Sequence, residues 1–145
     1  MKYADNIQEI AQLSPDYLGF IFYPKSSRYV GNDFNPSTLK NIPSNIQKVG
    51  VFVNSPIEEV IDFCRKFELD YAQIHGSESA EYCAELHAKG IKIIKAFGVD
   101  ANFDFSKLEP YKKSCDYFLF DTKGEKYGGN GVTFDWSVLK NYDNE

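Results

Sequence analysis

The chain has 145 residues, of which 43% are hydrophobic and 26% are charged, a balance typical of a single folded domain. Its 12 Phe and 10 Tyr argue against intrinsic disorder. A net charge of -5 without a basic stripe disfavours nucleic acid and membrane surfaces as partners, although a single arginine suffices to bind a small anion.

Strand-like and helix-like segments alternate along the chain. Short apolar runs predict strands and apolar residues at helical spacing predict helices. The predicted elements, in chain order, are a helix at 6–13, strands at 17–22 and 48–53, a helix at 57–67, a strand at 69–74, a helix at 79–89, a strand at 91–96, a short helix at 106–113, a strand at 117–120 and the start of a helix at 135–140. We expect one domain over residues 1–145.

This alternation predicts an α/β protein with a parallel sheet. The predicted strands are apolar on both faces, as strands are when helices cover a sheet or when a barrel closes on itself. Part of an eightfold barrel and a flavodoxin-like open sheet both fit the length, and alternation alone does not separate them.

Polar side chains follow the predicted strands. Ligands of parallel α/β folds sit at the carboxyl ends of the strands, so these residues are the candidates for a site. They are Arg28 in the loop after the first predicted strand, Asn54, His75 with Gly76, Lys95, Asp121, and the glycine-rich segment 128–131.

Three of these residues carry chemistry, and each also has a plain structural interpretation. Asp121 is a possible general acid, or a residue that caps a turn. Arg28 is able to clamp a carboxylate, or it is a solvated surface residue. His75 is able to contact a ligand, or it hydrogen-bonds neighbouring loops. Segment 128–131 either wraps a ligand or forms a flexible turn, and it lacks the spacing of known phosphate loops.

Cys64, Cys83 and Cys115 are odd in number and have no metal-binding spacing. Reduced thiols in a cytoplasmic protein are the simplest interpretation, and we expect no metal site. Cys64 and Cys83 fall within helical patterns and are predicted to lie in the core.

Five segments, in this order, resemble the phosphoribosylanthranilate isomerase family of tryptophan biosynthesis. Residues 17–30 resemble its second-strand motif and residues 48–54 its third strand. Residues 70–76 are similar to its fourth-strand motif, which ends in His-Gly. Residues 119–123 and 128–136 resemble its sixth strand and the loop that follows.

The resemblance implies a (β/α)8 TIM barrel and a cofactor-free Amadori rearrangement of the small molecule N-(5-phosphoribosyl)anthranilate. By the same resemblance, Asp121 is the general acid that protonates the ribose ring oxygen. Arg28 orients the anthranilate carboxylate, and His75 is a substrate-pocket residue.

Family members begin with a strand ending in Cys-Gly-Met, whose cysteine is the general base, and Met1 is expected to match that Met. None of the three cysteines here matches the base. The phosphate site follows the seventh and eighth strands. We therefore expect this chain to supply about strands 2–6, as an incomplete parallel barrel.

Two consequences follow from an incomplete barrel. Its exposed strand edges are expected to be covered either by pairing with a second copy or by rearranged ends of the chain. The resemblance implies an isomerase whose activity is impaired in an incomplete barrel, and the alternative is an inactive half-barrel that acts as a binding or assembly module. A third hypothesis, another phosphosugar barrel or an open-sheet binder, is disfavoured by the five ordered motifs.

Overall fold

The computed structural model describes residues 2–122 and 136–142. The strands are β1 (Tyr17–Ile21), β2 (Gln47–Phe52), β3 (Tyr71–Ile74), β4 (Ile93–Val99) and β5 (Tyr117–Thr122). The α-helices are α1 (Ala4–Ala11), α2 (Ile57–Phe67) and α3 (Ala80–Ala88). Three 3-10 helices cover Pro36–Leu39, Phe105–Tyr111 and Trp136–Asn141. Among the described residues, no helix is long and apolar enough to cross a membrane.

All five predicted strands are present, but the last two extend further than predicted. β4 continues to Val99 and β5 to Thr122, because the two strands pair along this whole stretch, with Gly98 opposite Asp121. Asp121 looked like the residue that follows a strand, yet it lies inside one. Lys95, predicted at a strand end, is also a mid-strand residue.

The predicted helix at 106–113 forms a 3-10 helix instead. It contains Pro110, which cannot donate a backbone hydrogen bond inside a helix. Its start is fixed by Asp104, whose side chain accepts a hydrogen bond from Ser106 N at 3.0 Å. The turn Pro36–Leu39 was not predicted. The helix predicted from 135 is a 3-10 helix from Trp136 onward, and residue 135 lies outside the described residues.

The strand order decides between the two predicted architectures. The five described strands are all parallel and are arranged β1-β2-β3-β4-β5, in the order of the chain. A flavodoxin-like sheet has the order 2-1-3-4-5, so that alternative is wrong. Right-handed crossovers in a sequential sheet place all the helices on one face, which is the arrangement of a barrel wall.

The helix-covered face holds the apolar core. Leu18 and Phe20 of β1 are buried there, and α2 packs on β2 and β3. At the carboxyl end of this face the rings of Phe22 and Phe52 stack with centroids 5.4 Å apart, and Phe22 meets the edge of Phe63 at 4.8 Å. Such a dense aromatic cluster fixes the strand ends beneath the candidate site.

The loop that carries Arg28 is anchored to this core. Phe34, at the end of that loop, packs against Phe20 at 5.9 Å and Phe67 at 5.6 Å between ring centroids. Val30 N donates to Ile21 O at 3.0 Å, so the loop folds back along the end of β1. These contacts hold the arginine near the carboxyl edge of the sheet.

The opposite face, which we call the concave face, carries the alternate residues of each strand, including Gly19, Val49, Gln73 and Asp121. Tyr17 from edge strand β1 and Tyr117 from edge strand β5 both pack on Tyr71 in the middle strand, with ring centroids 6.1 and 5.8 Å apart. Side chains from opposite edges meet over the centre only when a sheet is strongly curved. The described strands therefore form part of a barrel wall.

The packing of the helix-covered core predicts that truncating two different leucines to alanine has very different effects on stability. Leu86 of α3 is fully buried, whereas Leu13 after α1 is 76% exposed. We expect Leu86→Ala to lower the free energy of unfolding by about 2–5 kcal/mol through the cavity it leaves. The same change at Leu13 should cost less than about 0.5 kcal/mol. Urea denaturation of both variants measures this, and equal losses would contradict the described packing.

Candidate active site

The carboxyl-terminal edge of the sheet, which we call the mouth, brings His75 and Asp121 together. His75 directly follows β3, and Asp121 lies near the end of β5. Because both strands run in the same direction, their ends reach the same edge. Nε2 of His75 is 3.6 Å from Oδ2 of Asp121.

Arg28 lies at the same mouth. Its side chain is exposed, and its charge is near enough to His75 to contribute to lowering the pKa of that ring. The backbone N–H of Arg28 donates to Ser26 Oγ at 3.2 Å, which fixes the turn of the loop. Within the described part of the chain, no hydrogen bond or ion pair holds the guanidinium, so it is available to an anionic ligand.

The His75 ring is held on two sides. Its backbone N–H donates to Phe52 O at 2.9 Å, and Nδ1 lies 2.9 Å from Nε2 of Gln73. Burial lowers the pKa of His75, and the positive charges of Lys95 and Arg28 lower it further, while Asp121 and Glu78 oppose the shift. The ring is therefore neutral near pH 7.

Asp121 has one oxygen fixed and an open side. Oδ1 accepts a hydrogen bond from Thr122 N at 2.8 Å, which leaves Oδ2 towards His75. The side chain is 35% exposed. Its neighbour across the sheet is Gly98, which has no side chain, so there is room beside the carboxyl group for a ligand.

A buried ion pair behind the mouth was missed in the sequence. Lys95 is 2% exposed and Glu78 is 7% exposed, and Nζ lies 3.2 Å from Oε2. Lys95 was predicted among the rim residues, but its side chain is directed into the protein and not into the mouth. A lysine inside an apolar strand, as in residues 93–97, was a usable signal, because lysines are almost never fully buried unless they are paired.

This Lys95–Glu78 pair ties together the loops that follow β2 and β3. Lys95 Nζ donates to Gly76 O at 2.9 Å, and Glu78 accepts from Asn54 N at 2.7 Å and from Gly76 N at 2.9 Å. A Cβ at Gly76 would lie 2.5 Å from Oδ1 of Asn54, so only glycine fits directly after His75. The pair therefore supports the backbone on which His75 stands.

The three cysteines do not join the mouth. Cys64 and Cys83 are buried in α2 and α3, which confirms the prediction of core thiols, and burial raises the pKa of Cys64 to about 12. Cys115 precedes β5 and so lies towards the opposite edge of the sheet. Segment 128–131 lies outside the described residues. Among the residues described, no three His, Cys, Asp or Glu side chains are grouped as a metal site would need.

A family model for N-(5'-phosphoribosyl)anthranilate isomerase matches residues 1–145. The chain belongs to this family. It is 43% identical to the N-(5'-phosphoribosyl)anthranilate isomerase of Parabacteroides distasonis over 148 residues, which cover 100% of this chain and 66% of the relative. The chain thus spans slightly less than two thirds of the length of that relative.

Solved structures of the isomerase family share the fold. The crystal structure of phosphoribosyl anthranilate isomerase from Thermotoga maritima matches with a TM-score of 0.80 and 34% identity, over 98% of this chain and 68% of that one. A phosphoribosyl anthranilate isomerase in complex with reduced 1-(o-carboxyphenylamino)-1-deoxyribulose 5-phosphate matches with a TM-score of 0.75 and 30% identity, over 98% and 66%. The predicted TIM-barrel family is confirmed, and the described strands form a five-stranded parallel part of such a fold.

The buried pair predicts a non-additive effect on stability. Lys95→Met leaves a buried carboxylate without its partner, and Glu78→Gln leaves a buried ammonium group, so each should cost about 3–5 kcal/mol of unfolding free energy. The variant with both substitutions should be more stable than the sum of the two losses implies, because it buries no charge without a partner. Denaturation of all four chains measures the coupling, and additive losses would rule out the pairing.

Proposed function

We propose that this chain supplies the acid and the substrate carboxylate site of an N-(5'-phosphoribosyl)anthranilate isomerase. The reaction is the Amadori rearrangement of N-(5-phosphoribosyl)anthranilate to its 1-deoxyribulose 5-phosphate isomer in tryptophan biosynthesis. The observation that carries the proposal is the meeting of Arg28, His75 and Asp121 at one mouth in a chain of this family.

Asp121 is the general acid in this proposal. It gives its proton to the ribose ring oxygen as the bond from that oxygen to C1 breaks, and the nitrogen lone pair forms an imine at C1. A base, which in the family is the cysteine that none of the three here matches, takes the C2 proton of this protonated imine and gives an enolamine. Protonation of C1 and loss of the C2 hydroxyl proton then give the ketose, so no electrons leave the substrate and no cofactor is needed. The open side of Asp121, next to Gly98, is where the sugar fits.

Arg28 binds the anthranilate carboxylate. A guanidinium presents two parallel N–H donors that match the two oxygens of a carboxylate. The absence of a protein partner for this side chain within the described residues supports the assignment. The compound in the related complex carries the same carboxyphenylamino group.

His75 contacts the substrate beside Asp121. Its ring is neutral near pH 7 because burial and two nearby cations oppose protonation. A neutral ring is able to donate one hydrogen bond without adding a charge to the mouth.

We further propose a cytoplasmic protein that pairs with a second copy of itself. Its described cysteines are free, as is usual in a reducing compartment. β1 and β5 are the two edges of the described sheet, and an exposed parallel edge is a site for pairing with another chain. Sedimentation that finds only monomers over a wide concentration range would oppose this pairing.

Arg28 and Arg65 are the two arginines of the chain and allow a matched test. Arg28→Met should weaken binding of reduced 1-(o-carboxyphenylamino)-1-deoxyribulose 5-phosphate by about 10- to 100-fold, as expected for a lost charge-assisted hydrogen bond. Arg65→Met changes an exposed residue in the last turn of α2 and should leave binding unchanged. Titration calorimetry measures both, and equal effects would contradict the proposed role of Arg28.

Growth of a bacterium that lacks its own isomerase tests the activity. The protein that contains this chain should support growth without tryptophan, and Asp121→Asn in it should abolish growth, since loss of a general acid costs about 100- to 10,000-fold in rate. Growth that survives Asp121→Asn would contradict the assignment of the acid. Binding of the analogue without growth would favour a binding module, and failure of both would overturn the proposed function.

A further inference from the structure

The two ring nitrogens of His75 have different neighbours. Nδ1 lies 2.9 Å from the amide nitrogen of Gln73, and Nε2 lies 3.6 Å from Oδ2 of Asp121. An amide NH2 group only donates hydrogen bonds, so Nδ1 must accept. A neutral ring that accepts at Nδ1 carries its proton on Nε2, on the side of Asp121.

We propose that Gln73 is a positioning residue that fixes His75 as the neutral Nε2–H tautomer, so that the ring presents an uncharged hydrogen-bond donor to Asp121. Neither residue is adjacent to Asp121 in sequence, and the arrangement exists only in the folded sheet. The tautomer is a property of this chain that does not depend on turnover.

The strand geometry holds Gln73 against the ring. Gln73 and His75 are two residues apart along the direction of β3, so both side chains point to the concave face. The backbone of His75 is fixed by its bond to Phe52 O, and the backbone of Gly76 by its bond to Glu78. The backbone that carries the ring is therefore held in place beside Gln73, whose amide group meets one ring nitrogen.

The charged groups around the ring also favour the neutral form. Lys95 on β4 and Arg28 in the loop after β1 disfavour a positive ring, while Asp121 on β5 and Glu78 in the loop after β3 favour one. Burial is the largest influence and lowers the pKa of His75. An imidazolium carries protons on both nitrogens, so it would also turn an N–H towards the NH2 group of Gln73.

The catalytic consequence rests on the proposed function. An imidazolium beside Asp121 would favour its carboxylate form and weaken it as an acid. A neutral ring avoids this, yet its Nε2–H is placed to donate to the carboxylate that forms when Asp121 releases its proton. A small closure of the 3.6 Å gap gives an ordinary hydrogen bond.

Nitrogen-15 NMR of the histidine rings tests the tautomer directly. The chain has 2 histidines, and the second, His87, is an exposed residue of α3 that serves as an internal control. A His87→Gln variant assigns the signals. We expect His75 to show a protonated Nε2 and an unprotonated Nδ1 at neutral pH, with a pKa below the ordinary value of a histidine.

Two near-isosteric variants then test the role of Gln73. Gln73→Met removes the donor, and His75 should become a mixture of tautomers. Gln73→Glu supplies an acceptor, which should move the proton to Nδ1 and raise the pKa of His75 by about 1 to 3. Circular dichroism checks that both variants fold, and the His87 signals should not change.

Two results would overturn the proposal. One is a proton on Nδ1 of His75 in the unaltered chain at neutral pH, which would mean that the carbonyl of Gln73 faces the ring. The other is an unchanged His75 spectrum in folded Gln73→Met. Neither measurement involves the substrate, so a failure here is distinguishable from a failure of the isomerase proposal, which the growth and binding experiments test.

Discussion

The shared direction of five strands is the constraint on which the site depends. His75 follows β3 and Asp121 lies in β5, on the other side of β4, and their side chains meet because parallel strands in sequential order end at one edge. A strand reversed or moved to another position would send its polar end to the other edge or to another neighbour. The aromatic cluster around Phe22 and the anchored loop before Phe34 then bring Arg28 to that same edge.

The two faces of the sheet have different roles: one holds the core, and the other carries the polar side chains of the candidate site. The helix-covered face holds the apolar core and also the buried Lys95–Glu78 pair, whose hydrogen bonds support the turn after His75. Burying such a pair is costly unless every donor and acceptor is used, and here the carboxylate accepts from two backbone N–H groups as well as from the lysine. The pair is better understood as a device for holding loop geometry than as a source of stability.

Much of this arrangement was predictable from the sequence, and the two site residues that were missed share a physical cause. Apolar runs predict each strand, and polar residues after them predict Arg28, His75 and Asp121 as candidates, because both signals are local. Glu78 and Gln73 were missed because their roles depend on which strand lies beside which and in what register. The predicted helix at 106–113 is a 3-10 helix that contains Pro110, a residue without a backbone donor.

The balance of charge at the mouth depends on which charged side chains are paired with each other. Lys95 lies close enough to influence His75, but its own charge is matched by Glu78, so the pair as a whole adds little net field. The Arg28 guanidinium and the Asp121 carboxyl group are then the groups that a ligand meets, with a neutral ring beside the carboxyl group. A substrate with one carboxylate and a ring oxygen that needs a proton suits this arrangement, because the cation and the acid are supplied by different strand ends and do not pair with each other. If Arg28 formed an ion pair with Asp121, the pair would hold Asp121 as a carboxylate. The guanidinium would then not be available to bind a ligand.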